Sequence, residues 1–210
     1  MADNLITLVN NSLDLNTSLA LFQQANPNPS GQITAWQVVY LEGTENNSHL
    51  GGQSQTPVPD DYSMVLNYMS GISSIMSSPV SWTGYGANVD ITTDVNPIGD
   101  LVLDLDVLAA SDPTRVIINV PPNIGPGVTA TVTKNMQNVL PPIALFASGT
   151  AGVQIVPTFY VGVVSQTLQS GSPVNAAEIS ATQAIQPGQT ATVTGSAAAG
   201  YTITVAGTAS

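Results

Sequence analysis

The chain has 210 residues, no cysteine, and only two that are lysine or arginine. The first absence excludes a disulfide scaffold, a thiol enzyme and a zinc–cysteine centre. The second excludes nucleic-acid binding by charge neutralisation, because Arg115 and Lys134 stand against 13 acidic residues and a net charge of −11. Charge of either sign is scarce, at 7% of the chain, and aromatic residues make up only 5%. No apolar run approaches the roughly 20 residues that span a bilayer. Met1-Ala2-Asp3-Asn4 places an acid where a signal peptide has its basic region. Cytoplasmic synthesis is therefore expected, with export only by a leaderless route, and the acidic balance opposes docking on anionic lipid.

What the chain has is 43% apolar residues, enough to fold, and a period-2 pattern punctuated by glycine, proline and asparagine. Strands are predicted at Leu5–Val9, Ser18–Gln23, Ile33–Leu41, Val80–Tyr85, Val89–Thr93, Leu101–Leu108, Arg115–Val120, Val128–Thr133, Ile143–Ala147, Gln154–Val164, Thr190–Thr194 and Tyr201–Val205. Ile33–Leu41 is apolar on both faces, which predicts an internal strand. The polar, Gly/Pro-bearing stretch Glu42–Asp61 reads as the longest loop. Asp61–Met69 fits helical and strand spacing equally. Many short Val/Thr/Ile-rich strands with frequent turns predict an all-β fold: a single antiparallel β-sandwich over residues 1–210, of jelly-roll or immunoglobulin-like type, with little helix. Pro126-Gly127-Val128-Thr129-Ala130-Thr131-Val132-Thr133 is echoed by Pro187-Gly188-Gln189-Thr190-Ala191-Thr192-Val193-Thr194, a single match that shared turn and strand physics favours over the alternative, a duplication.

Leu8-Val9-Asn10-Asn11-Ser12, Leu21-Phe22-Gln23-Gln24, Thr34-Ala35-Trp36 and Asp61-Tyr62-Ser63-Met64-Val65-Leu66, with the late segment Pro157-Thr158-Phe159-Tyr160-Val161-Gly162, resemble the rhizosphere-induced secreted protein (RhiA-like) family. The resemblance covers about half the chain and has no counterpart across Ile91–Pro142. It implies a small secreted or cell-associated bacterial β-protein, favours strand over helix at Asp61–Met69, and brings no catalytic residues with it.

Candidate chemistry is sparse. His49 is the single imidazole, in a loop without a nucleophile elbow, so no catalytic triad is expected. Trp82, Tyr85 and Tyr62 are the candidates for an aromatic platform that stacks on a sugar. Asp100, Asp104 and Asp106 alternate with Leu101, Leu103, Leu105 and Val107, so their carboxylates share one strand face. Calcium is the cation that suits such an all-oxygen set; the favoured alternative is a solvated edge strand protected by charge. Lys134 is expected to face water, which leaves little scope for an isopeptide bond catalysed by an acid such as Glu178.

The expectation is a non-enzymatic protein with no cofactor, acting by surface recognition or self-association. Its expected partners are a second copy of itself, or a carbohydrate or protein surface. A membrane-active β-protein inserting a stretch such as Gly71–Ser78, and a carbohydrate-binding module, are the alternatives. The terminal strands Leu5–Val9 and Tyr201–Val205, lacking lysine and proline, are the expected bare sheet edges.

Overall fold

In the computed structural model, residues 4–26, 32–45, 48, 50–68, 78–99 and 101–207 are described. His49, Asp100 and Gly71–Ser77 of the candidate membrane-inserting stretch lie outside them.

Among the described residues there are eighteen strands and one 3-10 turn, at Ala176–Glu178. In chain order the first strands are β1 (Leu5–Asn10), β2 (Asn16–Asn26), β3 (Gln32–Ala35), β4 (Gln37–Glu42), β5 (Gln53–Pro57) and β6 (Asp61–Tyr68). The central ones are β7 (Val80–Thr83), β8 (Ala87–Val95), β9 (Leu101–Leu108), β10 (Arg115–Asn119), β11 (Val128–Lys134) and β12 (Gln137–Asn138). The last are β13 (Ile143–Ala144), β14 (Thr150–Val164), β15 (Ser172–Asn175), β16 (Ser180–Ile185), β17 (Thr190–Ser196) and β18 (Gly200–Ala206). The fold is all-β, as the patterning predicts.

The chain packs as two compact units: Met1–Gln24, Ser30–Pro59 and Thr158–Ser210 in the first, Ala25–Pro29 and Asp60–Pro157 in the second. The division falls within β14 at Pro157, a residue with no N–H to give to a ladder.

The first unit has a four-stranded sheet in the order β18-β17-β1-β5 and a second layer in which β4, β2, the end of β14 and β16 follow one another. Alternate residues of both layers point inward and are buried: Ile6 and Leu8 of β1, Ala191 and Val193 of β17, Leu19 and Leu21 of β2, and Val161 and Val163 of β14. The opposite face of β2 is covered too. Ala20 packs with Ala35, Val164 and Val174, supported by Ile33, Val38 and Ile179, because the β3–β15 ribbon lies over it. A small residue is required on that face at Gly162, where a Cβ would collide with Ile179 Cγ2.

In the second unit, one sheet runs β12-β11-β6-β7 with β13 also paired to β11, and the other runs from the start of β14 through β10 and β8 to β9. Met64, Leu66, Ala130 and Val132 from the first, and Val89, Ile91, Leu103, Leu105, Val116 and Ile118 from the second, form its buried positions.

Several expectations change. Ile33–Leu41 is not one internal strand: the chain bends at Trp36, β3 pairs with β15 and β4 with β2, so the two apolar faces belong to two strands serving different layers. The expected loop Glu42–Asp61 contains β5, a polar strand in which only Thr56 is buried, so no apolar alternation announced it. Leu5–Val9 is not a bare edge, since β1 lies between β17 and β5. Among the pairings of the described residues, β1 with β17 and β8 with β10 are parallel, in an otherwise largely antiparallel set. Asp61–Tyr68 is a strand, the sense the resemblance favoured. The echoed segments share a turn, with Gly127 and Gly188 at φ 81 and 86, but β11 lies in the second unit beside antiparallel β6 and β17 in the first beside parallel β1.

Candidate functional site

Tyr62 and Trp82 face each other across the β6–β7 ladder on its inward side. Their rings stack with centroids 6.1 Å apart at 17°, and Tyr85 lies tilted against Tyr62 at 6.0 Å. On the neighbouring strand Lys134 continues the inward series Val128, Ala130, Val132, and its Nζ sits 3.9 Å from the Tyr62 ring centroid. Trp82, Tyr62 and Lys134 are therefore three adjacent rungs on one face. They are buried, at 8%, 1% and 3% exposure, so Tyr62 and Trp82 do not present an open stacking surface; Tyr85 is half-buried.

Lys134 does not face water, contrary to expectation, because it falls in phase with the buried valines of its own strand. Burial pulls its ammonium down to about 8 from 10.5, against the opposing pull of Asp60 and Asp61. The Tyr85 hydroxyl is pushed up, first by burial and then by Asp60. Trp82 Nε1 is buried with no hydrogen-bond partner. This cluster is a cation–π and aromatic plug at the end of a core. Glu178, the acid considered for an isopeptide bond, belongs to the first unit and Lys134 to the second.

Asp104 and Asp106 do project together from β9 and are exposed, as the alternation requires. Asp106 lies directly opposite Asp90 on β8, and Asp104 opposite Thr92. Asp90 accepts from Asn119 Nδ2 at 2.6 Å. Among the described residues no group of three or more acidic or histidine side chains is placed to hold a metal ion. What Asp104 and Asp106 do there is charge the outermost strand of its sheet.

A concave site lies elsewhere, in the first unit, and the sequence did not reveal it. β16 runs close to β18, yet no ladder joins the two among the described residues. Where they approach, a cleft of about 300 Å³ opens, with Thr17, Ser18, Val163 and Val164 as its buried floor and Glu178, Ser180 and Gln166 at its exposed rim. Tyr201, at the start of β18, forms one wall and is fixed in place: its hydroxyl donates to Asp14 Oδ2 at 2.7 Å, and the same oxygen accepts the Ala197 N–H at 3.0 Å. Burial, followed by the Asp14 carboxylate, pushes the Tyr201 hydroxyl up to about 12, so it stays neutral across the physiological range. Behind it Thr17 Oγ1 pairs with Ser12 Oγ at 2.9 Å. On the rim the 3-10 turn is closed by a capping box, in which Glu178 Oε2 accepts the Asn175 N–H at 3.3 Å and Asn175 Oδ1 accepts the Ala177 N–H at 3.2 Å. Gln166 Nε2 donates to the Asn16 carbonyl at 3.1 Å, tying the loop after β14 to the start of β2.

Ser18, only 2% exposed, lines the cleft beside Thr17 and turns a hydroxyl group into an otherwise largely uncharged floor. No family model, curated protein or solved structure matches the chain.

Proposed function

We propose that the protein is a non-enzymatic recognition module and that the β16–β18 cleft is its binding site. The observation that carries this reading is a concave site with buried Thr17 and Ser18 on its floor and a wall, Tyr201, held in place by Asp14. A rigid pocket with convergent polar groups is the usual form of a small-molecule site. The test is a fragment screen followed by two-dimensional NMR on the labelled chain. Fragments of varied charge are expected to move the amides of residues 16–18, 163–166 and 201 together. Hits confined to other surfaces would refute the reading.

Self-association is the second reading. It is favoured by large apolar side chains standing in solvent on connecting segments: Leu50 at 94%, Met136 at 89%, Ile98 at 83% and Phe146 at 75% exposure. Methionine and aromatic residues of this kind are enriched where protein surfaces meet. Light scattering behind size exclusion at low and high salt checks it: a larger species that dissociates on Phe146→Ser or Ile98→Ser supports association, and a strict monomer at both salts excludes it.

A further inference from the structure

The lining of the cleft restricts what can occupy it. Glu178 is the charged side chain among its lining residues, Asp14 stands behind Tyr201, and the chain as a whole carries −11. An anionic ligand would meet repulsion and no compensating cation. A cation would find a single rim carboxylate, one of whose oxygens is already engaged by the Asn175 N–H, while most of the lining is neutral. The uncharged polar groups are hydroxyls and amides. Ser18 on the floor and Ser180 on the exposed rim each contribute a hydroxyl that both donates and accepts. The free oxygen of Glu178 accepts only. Val163 and Val164, with the Tyr201 ring, supply an apolar surface beside these polar groups.

A ligand that satisfies all of this is neutral, carries several hydroxyls that donate and accept in turn, and has one C–H face. About 300 Å³ stands at the lower end of the volumes found for small-molecule sites, which suits one ring and not an extended chain. We propose, building on the recognition reading above, that the cleft binds a single neutral sugar residue. Adjacent hydroxyls of the sugar donate to Glu178, a third pairs with Ser18 on the floor, and the C–H face lies against Val163, Val164 and Tyr201.

The experiment titrates the ¹⁵N-labelled full chain with the methyl glycosides of glucose, galactose, mannose and N-acetylglucosamine, and separately with ethylammonium and acetate as charged probes. At least one glycoside is expected to move the amides of residues 16–18, 163–166, 178–180 and 201 and to saturate in the millimolar range, while ethylammonium and acetate leave them in place. Removing one hydrogen-bonding partner, as Ser18→Ala or Glu178→Gln, is expected to weaken binding about tenfold with the rest of the spectrum unchanged. Ser180→Ala, at an exposed position, gives the same reading if Ser18→Ala disturbs folding. The assignment is overturned if no glycoside moves the cleft amides, or if the shifts persist at equal affinity in both serine variants. Should ethylammonium or a neutral fragment bind there and no glycoside do so, the sugar assignment falls while recognition at the cleft stands. Should nothing bind there, both fall.

Discussion

Lys134→Met removes the ammonium from the second unit's core and keeps nearly the same length of apolar chain. The residue is 3% exposed, and its group titrates in the fold at about 8 instead of 10.5. At roughly 1.4 kcal/mol per decade, the folded state disfavours the charged form by at most about 3.5 kcal/mol. The cation–π contact with the Tyr62 ring lies outside that balance and favours the charged form by about 0.5–2 kcal/mol, so a realistic net figure is about 1–2 kcal/mol. Because the folded value is depressed, the unfolded chain binds more protons between about pH 8 and 10.5, and wild-type stability rises with pH through that window. Below about pH 8 both states are protonated and the penalty is present in full. Lys134→Met should therefore be the more stable protein at neutral pH by about 1–2 kcal/mol, with the gap closing as pH rises. Urea unfolding followed by circular dichroism measures this. The range should stop short of the alkaline region in which Tyr201 retains its proton in the fold and wild-type stability falls again. A variant destabilised by more than about 1 kcal/mol at neutral pH, with wild-type stability flat from about pH 8 upward, would refute the reasoning.

Three further outcomes follow from local geometry. Asn135 and Met136 join β11 to β12 with φ of 51 and 60, a two-residue turn that favours glycine at its second position; Met136→Gly should stabilise by about 0.5–1 kcal/mol in thermal unfolding. Gly162→Ala should destabilise by about 1–3 kcal/mol, since the new methyl meets Ile179 and then Thr182 at 3.4 Å and the Phe22 ring at 3.5 Å; an unchanged melting temperature would show that Ile179, just after the 3-10 turn, yields freely. Asp106→Asn removes one of two directly opposed carboxylates and should stabilise by roughly 0.5 kcal/mol at low ionic strength, an advantage that disappears at high salt; calcium that stabilises wild type and not this variant would instead indicate a cation held between β8 and β9.

The all-β fold was legible because apolar alternation is a physical requirement of half-buried strands, and Leu101–Leu108 shows it with its observed boundaries. The same signal, carried one residue further, places Lys134 inside: it is in phase with Val128, Ala130 and Val132, and the general preference of lysine for water obscured that. Tyr62 and Trp82 were legible as partners by residue type. Their burial was not, since it depends on Lys134 arriving from the next strand to cap the stack. β5 stayed hidden because Gln53, Ser54 and Gln55 are ladder residues without an apolar face. The cleft is the extreme case. Its residues come from β2, the end of β14 and the loop after it, the 3-10 turn, β16 and β18, and apart from Thr17, Glu178 and Tyr201 each is a serine, asparagine, glutamine or valine of a kind found throughout the chain. Only the failure of β16 and β18 to pair brings them to a common surface, and no local pattern encodes a ladder that does not form.

The most direct test of recognition at this site is the electron density of a crystal soaked with whichever fragment or glycoside moves the cleft amides. Density is expected in the β16–β18 cleft within hydrogen-bonding distance of Ser18 Oγ, with Tyr201 still bonded to Asp14. Density instead against Trp82 and Tyr85, or a cleft in which no ligand is seen, would contradict the account.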